Sequence, residues 1–289
     1  MIKILASDGM EKGAIAALEA KGCEVTCEYF DPEALKEAVK QYDLLVVRSA
    51  TKVREPHIDA ALETGKLQLV IRGGVGVDNI DVKYAEEKGI TVRNTPKASS
   101  DAVAELALAH MFSVARFVSI AGHTMREGKW EKKAYKGIEL TGRTVGIVGY
   151  GRIGQALGKR CQALGMKVLA YDIYQNKDLE CDTMRYVEMD ELLANSDIIS
   201  LHVPSLPGQP LINAETIAKM KDGVILINTS RGTNVDEDAL LAALDSGKVY
   251  GAGLDVFAEE PAKNAALYSH PHVSCTPHVG ASTVEAQKR

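Results

Sequence analysis

At 289 residues, 46% hydrophobic and 25% charged, the chain has the length for one large or two modest domains and the composition of a folded protein. Its formal net charge of -5 argues against nucleic acid as the main partner, but not against a small anion, because local charge can differ in sign from the total. No apolar run approaches the ~20 residues that span a bilayer, and MIKILASD enters a strand pattern with no signal peptide ahead of it.

The N-terminal third repeats one rhythm. IKILASD reads as a strand, EKGAIAALEAKG as a helix closed by Gly22, and CEVTCEYF as a second strand. In DPEALKEAVKQY, Asp31 is a candidate N-cap with Pro32 at the first helical position. DLLVVRS, LQLVIRGG and GITVRNT follow as strands, separated by HIDAALETG and DNIDVKYAEEKG. Strands alternating with helices of this length predict a parallel sheet covered on both faces, joined by right-handed crossovers. After Pro96 the pattern breaks into one long apolar helix, 99–121, either a spine between domains or a subunit interface. The polar loop behind it carries the only tryptophan, Trp130, to pack the loop down or anchor an interface. TVGIVGYG, MKVLAYD, DIISLHV, VILINTS, VYGAGLDVF and HVSCTPHV then predict a second parallel sheet. The expected architecture is two doubly wound α/β domains with a cleft between them: a flavodoxin-like substrate domain, 1–96, and a Rossmann nucleotide-binding domain, 97–283.

The five cysteines, Cys23, Cys27, Cys161, Cys181 and Cys275, contain no CxxC, and the seven histidines show no HExxH spacing. Reduced thiols in the cytoplasm and no metal site are expected.

Gly149, Gly151 and Gly154 form GxGxxG directly after a strand and at the opening of a helix. The first glycine permits the turn, the second lets a pyrophosphate approach the backbone, and the third lets helix and strand pack closely. Unpaired N–H groups at the helix start face the phosphates. Asp172, at the end of the next strand, suits the ribose hydroxyls of NAD and repels the 2′-phosphate of NADP. Arg152 sits within the turn, either along the pyrophosphate or solvated. The competing reading is a Rossmann-like domain without a dinucleotide.

Hydride transfer between a nicotinamide and a hydroxyl carbon needs an acid–base group, a partner that tunes it, and a cation that orients the substrate. Arg231 follows the buried strand VILINTS and fits the last role. His278, between Pro277 and Gly280, is poorly placed for a core and well placed for acid–base work. Glu259 or Glu260 can hold its far ring nitrogen, raising its pKa and setting its tautomer. Three unrelated loop residues are the alternative.

VVRSATKV at 46–53, RGGVGVDNID at 72–81, NTP at 94–96, GKWEKKAYKGIELTGRTVGIVGYGRIG at 128–154, INTSRG at 227–232, GAGLDVFAEEP at 251–261 and PHVGAST at 277–283 carry a resemblance over essentially the whole chain. The chain resembles the D-isomer-specific 2-hydroxyacid dehydrogenases. Within them it is most similar to enzymes that oxidise D-3-phosphoglycerate to 3-phosphohydroxypyruvate with NAD, the first step of serine biosynthesis. The resemblance implies Arg231 as the substrate-orienting residue, His278 as the acid–base and Glu260 rather than Glu259 as its partner. It implies that the backbone of Gly74, Val75 and Gly76 holds the substrate carboxylate, with Asn79 supporting that loop. Beside NAD it implies Ile153, His202, Val203, Pro204, Thr229, His278 and Gly280, with Asp255 near the nicotinamide amide. It further implies a homodimer and a first domain completed by residues from about 284 onward. The stretch HVPSLPGQPLIN, 202–213, is shorter than the family's usual pattern and lacks its threonine.

Arg48 and Arg72 both follow buried strands and are expected at one sheet edge, where two guanidinium groups clamp a phosphate. An unphosphorylated substrate such as lactate, glycerate, hydroxypyruvate or glyoxylate is the alternative, and a non-enzymatic NAD sensor a remote one.

Overall fold

The computed structural model describes residues 1–289 and divides into two compact units, Met1–Ser99 with Ala281–Arg289, and Ser100–Gly280. The first unit holds five strands: β1 (Lys3–Ala6), β2 (Glu24–Thr26), β3 (Leu44–Val47), β4 (Leu69–Arg72) and β5 (Thr91–Asn94). They pair in the order β2-β1-β3-β4-β5, all parallel. This is the flavodoxin-like order, in which ligands lie beyond the carboxyl ends of the strands. Leu45, Val47 and Val70 point to one core with Leu35, Val39 and Ile58. Asp31 caps its helix, accepting from the N–H groups of Glu33 and Ala34 at 2.9 Å each.

The second unit holds seven strands: β6 (Thr144–Val148), β7 (Lys167–Tyr171), β8 (Met184–Tyr186), β9 (Ile198–Leu201), β10 (Val224–Asn228), β11 (Val249–Leu254) and β12 (Val273–Cys275). Their order, β12-β11-β10-β9-β6-β7-β8, reverses direction at β6, the switch point of a Rossmann sheet. Every residue of β10 is buried because helices cover both faces. Val224 and Leu226 enter one core with Leu201 and Leu254, while Ile225 and Ile227 enter another with Ile147 and Met111. A two-residue period therefore serves two cores at once, and the strand reads as a continuous apolar run.

The single helix expected over 99–121 is instead two, Ser100–Arg116 and Val118–Arg126, bent by 68°. The break is Phe117, left-handed at φ 56, whose ring sits 5.3–5.9 Å from those of His272, Tyr135 and Tyr250. Apolar periodicity runs through the break, so the local pattern does not reveal it. The aromatic contacts that hold Phe117 come from distant segments. No single helix is long and apolar enough to cross a membrane.

Candidate active site

At the end of β6 the backbone turns through Gly149 at φ +89, where a Cβ would lie 2.5 Å from the His202 carbonyl oxygen. A Cβ on Gly154 would overlap the Gly149 carbonyl, so helix and turn touch backbone to backbone. The helix Arg152–Ala163 starts there, with exposed Gly151 at its N-cap and no side chain capping its first N–H groups. Asp172 braces the turn: one oxygen accepts from Tyr150 N–H at 2.7 Å and the other from Tyr174 N–H at 3.0 Å. A carboxylate has about four acceptor positions, so two remain for hydroxyl donors. Sequence reasoning missed Tyr150, the variable residue of the motif, which is buried against Tyr186 and whose hydroxyl burial pushes up to about 12.

Further along this edge, two polar atoms are buried without a protein partner, His202 Nδ1 after β9 and Thr229 Oγ1 after β10. His202 Nε2 pairs with Ser200 Oγ at 2.8 Å, and burial lowers the imidazole to about 4, so the ring is neutral near pH 7. Orphaned polar groups beside a glycine cradle and a helix N-terminus fit a bound dinucleotide. The shortened 202–213 segment is held by Asn234, whose Nδ2 donates to the Val203 and Pro204 carbonyls at 3.2 Å each. Nothing in the sequence pattern marked Asn234.

Beyond β10 the chain turns sharply at Asn228, whose Nδ2 donates to the Arg231 carbonyl at 2.9 Å and whose Oδ1 accepts from Ser230 N–H at 3.0 Å. Arg231 Nη1 donates to the Ser230 carbonyl at 2.6 Å. Gly232 lets this turn abut the loop after β11, since a Cβ there would overlap the Phe257 carbonyl group. That loop carries the two glutamates. Glu260, not Glu259, meets the histidine: His278 Nδ1–H donates to Glu260 Oε2 at 2.7 Å. Burial pushes the Glu260 carboxyl up, but His278, the Phe257 N–H and the charge of Arg231 outweigh it and hold it below its ordinary value. The loop is tied by Glu237, unremarked in the sequence, which accepts from Ala258 N–H at 2.8 Å. His278 itself is left-handed at φ 53, its N–H donating to the Asp255 carbonyl at 2.8 Å. With Nδ1 on the glutamate, Nε2 is the nitrogen left for an incoming hydroxyl or carbonyl.

The resemblance sets Asp255 beside the cofactor amide. In the structure its carboxylate is bonded to the turn that follows β12. Asp255 is 1% exposed and accepts from Thr276 Oγ1 at 2.6 Å and from the N–H groups of Val279 and Gly280 at 2.8 Å.

In the first unit, the loop after β4 is built around Gly73 and Gly74. Gly74 N–H donates to Thr95 Oγ1 at 2.8 Å, and the Asn94 amide reaches the Val75 carbonyl at 2.5 Å. Val75 is exposed and Gly76 half-buried. Asn79 donates from Nδ2 to the carbonyls of Arg48 and Thr51 at 2.8 and 2.7 Å, so its amide ties two loops together instead of facing a ligand. Asp8, at the end of β1, accepts from Arg48 N–H at 2.6 Å and Thr51 Oγ1 at 2.6 Å. A pocket of about 350 Å³ opens here, lined among others by Arg48, Gly73, Gly74 and Arg289.

The expected two-arginine clamp is split. Val47 pairs with Arg72 in the sheet, and paired residues share a face, so Arg72 points with Val47 and Val70. Arg48, one residue on, leaves from the opposite face with Val46, where both line the pocket. Arg72 is 9% exposed, and its Nη1 donates to the Gly73 carbonyl at 3.2 Å while its guanidinium fills the space beside Gly74. It props the glycine loop from inside.

Residues 108–280 match the family described as D-isomer specific 2-hydroxyacid dehydrogenase, NAD binding domain. A hydroxypyruvate reductase of Thermotoga maritima is 48% identical over 99% of this chain and 94% of its own length. A D-3-phosphoglycerate dehydrogenase of Methanocaldococcus jannaschii is 46% identical over 100% of this chain, which spans only 55% of that protein. Among solved structures, an Aquifex aeolicus D-lactate dehydrogenase complexed with NAD and lactic acid superposes with TM-score 0.85 at 32% identity, covering 99% of this chain and 91% of its own.

Proposed function

This chain belongs to the D-isomer specific 2-hydroxyacid dehydrogenase family and is an NAD-dependent dehydrogenase of 2-hydroxy acids, and from that premise we propose that it interconverts D-3-phosphoglycerate and 3-phosphohydroxypyruvate. The observation that carries the chemistry is the 2.7 Å pair between His278 Nδ1 and Glu260 Oε2, with the Arg231 charge acting on the same carboxylate.

Bound NAD supplies the hydride acceptor. In oxidation, neutral His278 takes the C2 hydroxyl proton at Nε2 while Glu260 holds Nδ1–H and stabilises the imidazolium that forms. In reduction, the same nitrogen returns the proton to the carbonyl oxygen. Arg231 pairs with the substrate carboxylate and polarises the oxygen beside it. In the glycine loop the N–H groups of Gly73 and Gly74 are taken by the Val47 carbonyl and Thr95 Oγ1, so those of Val75 and Gly76 are the ones offered to the substrate anion, and Arg48 supplies positive charge for a phosphate in the adjoining pocket.

Hydroxypyruvate and D-glycerate form the second reading, favoured by the nearly full-length match to the Thermotoga reductase. The two share a three-carbon acid with oxygen at C3 and differ only in its phosphate. Measuring kcat/KM for 3-phosphohydroxypyruvate and hydroxypyruvate with NADH separates them. Arg48→Ala is expected to lower only the phosphorylated substrate's kcat/KM, by about tenfold or more for a lost charge-assisted hydrogen bond. Arg72→Ala is expected to lower both, because it props the loop. A wild type that prefers hydroxypyruvate moves the assignment to the second reading. The proposal includes a cytoplasmic homodimer, supported by free cysteines and by the exposed Trp130, Val118 and Met125. Sedimentation of wild type and Trp130→Ala tests the assembly.

A further inference from the structure

Buried between the helix Ser100–Arg116 and the sheet lies a polar chain that the proposed chemistry does not use. His110 is 3% exposed, with Nδ1 3.0 Å from Ser274 Oγ and Nε2 3.0 Å from Thr276 Oγ1. Thr276 Oγ1 lies in turn 2.6 Å from Asp255 Oδ1. Donor counting orients every bond. The Thr276 hydroxyl has one hydrogen, and the carboxylate, which only accepts, takes it. The hydroxyl oxygen must then accept from His110, so Nε2 carries the ring hydrogen. His110 Nδ1 accepts from Ser274. Burial lowers the His110 pKa and keeps the ring neutral, although the nearby Asp255 charge opposes this. Packing holds the ring as well: a Cβ on Gly253 would lie 2.5 Å from the His110 Cβ.

The chain ends on the turn that presents the acid–base histidine. Asp255 receives the Thr276 hydroxyl and the Val279 and Gly280 N–H groups, on both sides of His278. The His278 N–H is bound by the Asp255 and Thr276 carbonyls at 2.8 and 3.1 Å, in a left-handed conformation that a non-glycine residue holds only when its surroundings over-determine it. Thr276 is thus gripped at its backbone by His278 and at its side chain by His110 and Asp255. We propose that His110 is a positioning residue for His278, acting through the Thr276 hydroxyl and the Asp255 carboxylate to aim the imidazole at the substrate.

The proposal rests on the acid–base role of His278 and predicts a graded set of variants. His110→Phe keeps the ring's bulk, leaves Thr276 without a donor and Ser274 without an acceptor, and is expected to lower kcat by about tenfold or more through misaiming of His278. NADH affinity and the KM of the keto acid are expected to stay near wild type. His110→Gln, whose amide can donate to Thr276, is expected to recover most of the kcat. Thr276→Val removes the same link from the other side without touching the helix. Its loss is expected to match that of His110→Phe, and the double variant to be no worse than either. Steady-state kinetics with NADH titration reads all four. Unchanged kcat in His110→Phe and Thr276→Val, no recovery in His110→Gln, or additive losses in the double variant overturns the proposal. Undiminished turnover in His278→Ala overturns the acid–base reading itself. An inactive His278→Ala beside a fully active His110→Phe overturns only the role of His110.

Discussion

Gly232→Ala tests whether the geometry that gathers Arg231 and Glu260 matters. A Cβ at this position would overlap the Phe257 carbonyl group and lie 2.5 Å from the Ala258 nitrogen. Carbon atoms in contact prefer about 3.5 Å or more, so the two backbones must separate by at least about 1 Å. Neither side yields easily. The Arg231 turn is closed by Asn228 at 2.9 Å, and Ala258 is held by Glu237 at 2.8 Å. The displacement falls between Arg231, the neighbouring residue, and Glu260, which seats His278. A misplacement of about 1 Å in a catalytic constellation costs about 100-fold, or about 2.7 kcal/mol of transition-state stabilisation. Overpacking adds about 1–3 kcal/mol of lost stability. In a unit of this size that lowers Tm by about 2–12 °C. Steady-state reduction of 3-phosphohydroxypyruvate and hydroxypyruvate gives kcat/KM, thermal unfolding gives Tm, and NADH fluorescence shows that the glycine turn is intact. A Gly232→Ala protein with kcat/KM within about threefold of wild type for both substrates refutes the close approach or its catalytic consequence.

His278→Ala is expected to lose nearly all turnover in both directions while NADH titrates as in wild type; comparable kcat removes His278 from the mechanism. Asp172→Ser is expected to weaken NADH binding, since the carboxylate also braces Tyr150 N–H at 2.7 Å, and to shift the NADH:NADPH affinity ratio toward NADPH; an unchanged ratio in fluorescence titration counts against charge repulsion as the source of selectivity. His202 titrates near 4 in the fold against an ordinary 6.5, so the unfolded chain takes up its proton first. Its stabilising contribution is therefore complete above pH 6.5 and lost as pH falls toward 4. Tm measured across that window is expected to fall less steeply in His202→Gln, and parallel profiles contradict the assignment.

The sequence by itself determined what depends on near neighbours. Alternating strand and helix patterns specify two parallel sheets because each period is local. The glycine turn and Asp172 lie within one strand–helix–strand unit, so their spacing constrains their geometry. The stretches that carry the family resemblance already include Arg231, Glu260 and His278. Tertiary structure decided what depends on register and on distant partners. Arg48 and Arg72 share a sheet edge, but the pairing of Val47 with Arg72 sends their side chains to opposite faces. Phe117 breaks a continuous apolar helix because rings from Tyr135, Tyr250 and His272 collect around it. Asp255 faces an internal turn, and His110 reaches Ser274 and Thr276 across 164 and 166 residues. Buried polar groups need hydrogen-bond partners wherever the chain brings them, and only the folded backbone says which residues arrive.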